Sequence, residues 1–253
     1  MLSSSNARLA AARRLTGRSA RRETGRFLAE GVQAVREALA ADAVLEMFAT
    51  ADAIERHPEL TEQAVEISVK DAVALSETVT PQGLVAVCRL VQPHLEDVLV
   101  AAPRLIVGLA QPNNPGNVGT IIRTADAAGA AAVVLDGGVD AYNGKAVRAS
   151  AGSLFHLPVI EAPLSGLANG TLRLLATTGA GARDLDDLVD DGTLTAPTAW
   201  LFGTEAHGLR PDILELAHES VRIPIHGRAE SLNLAAAAAV CLYASARAQR
   251  ATI

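Results

Sequence analysis

Two rhythms of apolar positions alternate along the chain. Short blocks such as "RFLAEG" (26–31), "AVLEMFAT" (43–50), "TEQAVEIS" (61–68) and "GLVAVCRL" (83–90) read as strands. Between them, "VQAVREALA" (32–40) and "VKDAVALSETV" (69–79) space their apolar residues three and four apart, as a helix does. The rhythm breaks at "VQPHLEDVLVAAP" (91–103), whose two prolines and cluster of acids suggest a linker. From residue 104 it returns with more regularity. Strands are predicted at "RLIVGLA", "AAVVLDG", "FHLPVIEA", "LRLLATTGA", "AWLFGTE" and "SVRIPI". Helices are predicted near 118–129, 144–151, 184–189, 208–218 and 232–248. Strands joined by helical crossovers make a parallel sheet covered on both faces. The pattern therefore predicts an α/β protein with a small N-terminal α/β domain (1–92), a linker (93–103) and a parallel-sheet domain (104–253).

Composition agrees with this and narrows it. A hydrophobic fraction of 49% over 253 residues fills a core, and aromatics at 3% mean the core is aliphatic. The net charge of −6 hides an asymmetry: residues 1–36 hold eight arginines against Glu23 and Glu30. That local charge of +6 sits on a chain that is otherwise acidic, which suggests docking of a polyanion, with Arg13, Arg14, Arg18, Arg21 and Arg22 as the candidates. A solvated amphipathic helix and a targeting segment are the other readings of the same stretch. Cys88 and Cys241 stand alone in apolar runs, with no metal-ligand spacing, and indicate a reducing compartment. The longest apolar stretch, "LAAAAAVCLYA" (234–244), is too short to span a membrane.

Candidate chemistry begins at "GNVGTIIRTADAAGA" (116–130), a glycine-rich turn between two predicted strands. A dinucleotide fingerprint needs glycines at the third and sixth places, which here are Val118 and Ile121. A phosphate-binding Walker loop is also missing, so a nicotinamide oxidoreductase becomes a distant alternative. The unusual feature is polar crowding. Asn113, Asn114, Asn117 and Arg123 gather at this turn, with Asn117 a candidate helix cap. "LFGTEAHGL" (201–209) and "IPIHGRAESLNLAAAA" (223–238) end two further strands with Gly203 and Glu205, and with Ser231 and Asn233. Ser231 is a second candidate cap. Carboxyl ends of parallel strands are where ligands sit, so the three turns predict one site.

The same three turns, in this order, resemble the signature motifs of the SpoU/TrmH family of RNA 2′-O-ribose methyltransferases, within the SPOUT superfamily. They are "QPNNPGNVGTIIRTADAAGA", "WLFGTEAHGL" and "IPIHGRAESLNLAAAAAV". "KAVRASAGSLFHLPV" (145–159) resembles the family's link after its second strand. "GRFLAEGVQAVREAL" and "LSETVTPQGLVAV" resemble the L30e-like substrate-binding domain that precedes many members.

The resemblance implies an S-adenosylmethionine-dependent enzyme that methylates structured RNA. It also implies a deep trefoil knot in the C-terminal domain, a homodimer, a cytoplasmic location and no metal. By match to the motifs, Arg123, Asn117, Glu205, Ser231 and Asn233 are the catalytic candidates, and Thr177, Gly203, Ile223 and Leu232 the cofactor-binding ones. Guanidinium is very hard to deprotonate, so Arg123 is expected to stabilise the developing alkoxide rather than act as a base. The N-terminal domain favours ribosomal RNA over transfer RNA. A non-catalytic RNA-binding or ribosome-assembly factor of the same fold is the rival reading.

Overall fold

Asn6 starts the first helix, its side chain accepting the Arg8 amide at 2.8 Å. The computed structural model describes residues 6–78, 80–204 and 207–250. Their elements run, in chain order, α1 (Ala7–Arg14), α2 (Arg18–Thr24), β1 (Arg26–Glu30), α3 (Val32–Ala40), β2 (Val44–Ala49), α4 (Ala51–Arg56), α5 (Pro58–Thr61), β3 (Val65–Glu66), α6 (Val69–Leu75) and β4 (Leu84–Arg89). They continue as α7 (Leu95–Val100), β5 (Leu105–Ala110), α8 (Pro115–Ala128), β6 (Ala132–Asp136), α9 (Gly144–Ser150), β7 (Val159–Glu161), β8 (Arg173–Thr177), β9 (Arg183–Asp184), α10 (Leu185–Asp190), β10 (Thr198–Phe202), α11 (Pro211–Leu216), β11 (Glu219–Arg222) and α12 (Leu234–Arg250).

Two compact units result. The first joins Met1–Val91 to Asp140–His156, and the second joins Gln92–Val139 to Leu157–Ile253. In the first unit a sheet of order β1-β4-β2-β3 has β4 antiparallel to β1 and β2, with β3 parallel to β2. Leu9, Leu28, Phe48, Ile67, Leu75 and Val85 pack its core. Thr50 and Ser68 cap α4 and α6 by accepting the amides of Ala53 and Asp71.

Among the described residues the second unit holds a seven-stranded parallel sheet of order β7-β6-β5-β10-β8-β11-β9. Its central strands β5 and β10 are buried throughout and almost wholly apolar, as burial on both faces requires. Ile106, Val134, Leu174 and Leu201 face one core with Leu164 and Leu167. On α12, Ser245 accepts the indole N–H of fully buried Trp200 at 2.9 Å. Gln249 donates to the carbonyls of Arg104 and Ala196 at 3.0 and 3.1 Å, which seats the end of that helix.

Of the strand expected over 61–68 only Val65–Glu66 forms, after α5, and four further departures from the sequence expectations bear on the domains and the site. The linker expected at 93–103 contains α7, whose Leu95 is buried in the core of the second unit. Residues 140–156, expected in the C-terminal domain, are part of the first unit. There Asp140 pairs with buried Arg21, Arg148 with Glu30, and Tyr142 and Phe155 pack on Phe27. Asn114, not Asn117, caps α8, its side chain accepting the amides of Gly116 and Asn117 at 2.9 and 3.4 Å. Pro115 can then stand at the first helical position, where a missing N–H costs nothing. Asn233, not Ser231, caps α12, accepting from the amides of Ala235 and Ala236 at 2.9 and 3.3 Å.

Candidate active site

Three neighbouring strands, β10, β8 and β11, end on the same edge of the sheet because all three are parallel. Between their carboxyl ends and the segment leading to α12 lies a cavity of about 300 Å³. Thr177, Gly203, Ile223 and Leu232 all line it, and so does Ser231. Thr177 ends β8 and donates its hydroxyl to the Leu201 carbonyl at 2.9 Å, which ties the floor of the cavity to β10. The following Thr178 amide reaches the Val221 carbonyl at 2.9 Å, tying the same loop to β11.

Gly203 is required by close approach rather than by its dihedral angles. A Cβ there would lie 2.0 Å from the Gly208 carbonyl carbon and 2.3 Å from the Leu209 nitrogen. The space is taken by a turn that folds back on itself, with Thr204 and Gly208 exchanging main-chain hydrogen bonds of 3.0 and 2.9 Å. Glu205 lies outside the described residues.

A second polar group sits where α8 meets α12. Asn117 is buried in the first turn of α8, and its side-chain oxygen accepts a hydrogen bond from the Asn233 amide at 3.3 Å. Asn233 thus does two things at once, capping α12 with its oxygen and holding Asn117 with its nitrogen. Such a cap contributes about 1 kcal/mol, so the link fastens two turns 116 residues apart in the chain. Arg123 is on α8, six residues beyond Asn117, with an exposed side chain that makes no hydrogen bond or ion pair among the described residues. The structure therefore brings Asn117 to Asn233, and Ser231 to the four cavity residues, while Arg123 stands apart on the helix they share.

Sequence reasoning missed part of the cavity wall, including Thr178, Gly179, Phe202, Ile225 and Glu230. Thr178 and Gly179 directly follow a strand end, so the strand-end rule could have found them. Among the described lining residues only Glu230 is ionisable, which leaves the cavity mildly anionic. Nucleophilic thiol chemistry is absent from it. Both cysteines are buried elsewhere, burial pushing the Cys88 thiol up to about 12 and the Cys241 thiol higher still. Among the described residues no His, Cys, Asp and Glu side chains group as a metal-binding set, and no helix is long and apolar enough to cross a membrane.

Residues 104–243, which hold all of this geometry, match the sequence model of the SpoU rRNA Methylase family. The chain belongs to this family. A second match, to the MRM3-like substrate binding domain, covers residues 6–86. The SpoU chain described here is 34% identical over 239 residues to the 23S rRNA (guanosine(2553)-2'-O)-methyltransferase RlmP of Bacillus subtilis, covering 91% of this chain and 92% of that protein. It superposes on the crystal structure of an RNA 2'-O ribose methyltransferase with a TM-score of 0.83 at 34% identity, covering 98% of each chain. It also superposes on the SpoU methyltransferase AviRb from Streptomyces viridochromogenes, solved in complex with the cofactor AdoMet. There the TM-score is 0.85 at 31% identity, over 98% of this chain and 99% of that one.

The five N-terminal arginines proposed from sequence to meet RNA are placed unequally. Arg21 is buried, donating to Asp140 and to the carbonyls of Leu15 and Thr16, so it has no face to offer a ligand. Arg13 is held by Asp71, a fully buried carboxylate. Arg14 pairs with Glu23 at 3.2 Å on the surface, and Arg18 and Arg22 are exposed on α2. The charge count correctly found a basic segment, but an amphipathic helix must turn some of its residues inward.

Proposed function

We propose that this protein transfers the methyl group of S-adenosylmethionine to a ribose 2′-hydroxyl of ribosomal RNA. The observation that carries the reading is the cavity at the ends of β10, β8 and β11, lined by residues from the second and third motifs. Its chemistry suits the cofactor. Phe202, Ile223 and Leu232 offer apolar walls to an adenine ring, and Gly203 lets main chain come close. Glu230 complements the cofactor's net positive charge. When bound, the cofactor supplies a methyl group already activated on sulfonium, so the protein's work is alignment and charge stabilisation.

Asn117 and Asn233 hold one another and with them the ends of α8 and α12. In this reading Asn117 and Glu205 hold Arg123 and the ribose in register, while Ser231 and Asn233 order the loop and approach the substrate. Arg123 stays cationic throughout, because guanidinium does not lose its proton at neutral pH. It stabilises the negative charge that grows on the 2′-oxygen and grips the adjacent phosphate. The test is direct. Protein incubated with methyl-labelled S-adenosylmethionine and unmodified ribosomal RNA is expected to place label in alkali-resistant dinucleotides, because a 2′-O-methyl group blocks cleavage there. Label recovered in the bases, or none at all, would refute the proposal.

The same reading includes a deep knot through the second unit, a cytoplasmic location beside the ribosome and a homodimer. The dimer is supported by α12, which leaves Val240 and Tyr243 42% and 54% exposed on one face, three residues apart. Sedimentation of the full chain at micromolar concentration is expected to give a dimer, and Val240→Asp with Tyr243→Asp a monomer. A parent protein that sediments as a monomer would remove this part of the reading.

A further inference from the structure

We propose that Glu230 makes the cavity at the ends of β10, β8 and β11 select S-adenosylmethionine over its demethylated product, S-adenosylhomocysteine. The proposal rests on the methyl-transfer reading above and adds how the site sheds its spent cofactor. Methyl transfer breaks the bond between sulfur and the methyl carbon and leaves the electron pair on sulfur. The carbon bonds to the ribose oxygen, whose proton passes to solvent. The sulfonium charge is thereby lost, while the adenosine and the amino-acid end stay the same. The cofactor carries one net positive charge at neutral pH and the product carries none. An apolar wall can tell the two apart only by one methyl group, whereas a carboxylate tells them apart by a unit charge.

Glu230 is placed to supply that carboxylate. Among the described residues lining the cavity it is the ionisable one. It lies on the segment 223–232, of which Ile223, Ile225, Ser231 and Leu232 also form the wall. Both ends of the segment are fixed. Arg222, which ends β11, donates from Nη2 to Asp184 at 3.0 Å, and Asn233 caps α12 while holding Asn117. Between these anchors residues 225–232 are all exposed. Glu230 makes no hydrogen bond or ion pair among the described residues, so nothing there neutralises its carboxylate.

Other acids of the second unit are treated differently. Asp184 is held by Arg222, Asp191 by Arg183, and Glu219 by Arg173 and Arg183. A carboxylate matched to a guanidinium casts little net field on a ligand, and an unmatched one casts the field of a whole charge. Arg228 and His226 share the exposed segment, but neither lines the cavity. Glu230 also precedes the cap of α12 by three residues, where an acid favours the positive end of a helix. That role alone would act on free and loaded protein alike and would not separate two ligands of nearly one shape.

The experiment measures calorimetric dissociation constants of the full-length protein for three ligands. They are S-adenosylmethionine, S-adenosylhomocysteine and sinefungin, in which a carbon bearing an ammonium group replaces the sulfonium. The parent should favour the two cationic ligands. Glu230→Gln should weaken both by on the order of tenfold relative to S-adenosylhomocysteine, a modest figure because solvent screens an exposed carboxylate. Glu230→Asp, which keeps the charge, should retain most of the selectivity. Added salt should narrow the preference of the parent and leave that of the glutamine variant flat. Equal weakening of all three ligands would set the carboxylate against their common amino-acid end and overturn the proposal. An unchanged ratio overturns it as well, whatever the variant does to unfolding of the unliganded protein. Binding by the parent separates the two claims. If the parent binds S-adenosylmethionine and the glutamine variant keeps the parent ratio, the selectivity falls and the methyl-transfer reading stands. A parent that binds none of the three ligands removes that reading, and the proposal with it.

Discussion

Arg123→Ala is expected to slow methyl transfer by a factor of roughly a hundred to a thousand, the usual cost of removing one donor aimed at a developing oxyanion. Binding of S-adenosylmethionine should stay within about twofold of the parent, because Arg123 is not among the residues lining the cavity. Two structural facts make this a clean test. The side chain is exposed and makes no contact among the described residues that would be orphaned by its removal, so the fold is not disturbed. Alanine also suits a helix interior better than arginine does, which keeps α8 intact. Arg123→Lys should recover only part of the rate, since an ammonium supplies the charge but not the planar fork. Single-turnover transfer and calorimetric cofactor binding read the two quantities separately. Turnover within severalfold of the parent for the alanine variant would assign the charge stabilisation to another residue.

The site was legible in the sequence to the extent that its chemistry is local. Gly203, Ser231 and Leu232 lie in two short stretches at strand ends, and the order of the motifs named the family before any geometry was available. The strands of the second unit were legible for the same reason, because burial on both faces leaves unbroken apolar runs such as "LIVGLA". What failed was whatever depends on distant partners. Asn117 reads as a cap because capping residues look alike, and only the backbone shows that Asn114 holds that place. α7 was hidden because its helical length is only six residues between prolines. The inward turn of Arg13 and Arg21 could not be read at all, since their partners Asp71 and Asp140 lie 58 and 119 residues away.

The second large effect concerns that long-range pair. Asp140→Ala is expected to destabilise the first unit by about 3 to 5 kcal/mol, the cost of leaving a buried charge without its partner. The guanidinium of Arg21 is 5% exposed and meets the Asp140 carboxylate through Nε and Nη2 at 2.8 and 2.7 Å. Its remaining donor, Nη1, reaches the carbonyls of Leu15 and Thr16, so the group cannot turn out to water without breaking the end of α1. Asp140 also accepts the Tyr142 amide at 2.8 Å, a hydrogen bond that its removal would break. Adding Arg21→Met to Asp140→Ala should recover part of the loss, because the buried charge is then gone. Recovery should be incomplete, since the Leu15 and Thr16 carbonyls lose their donor at about 1 to 3 kcal/mol each when buried. Denaturant unfolding, with hydrogen exchange of β1 and β4 as the local probe, measures each step of this cycle. A loss below about 1 kcal/mol for Asp140→Ala would show that the pair is replaceable by water. The same logic predicts the behaviour of fragments. Residues 1–92 alone lack Asp140, Arg148 and the rings of Tyr142 and Phe155, which pack 4.9 and 5.8 Å from Phe27. That fragment should stay unfolded, and it should gain structure when the chain is extended to restore residues 140–156.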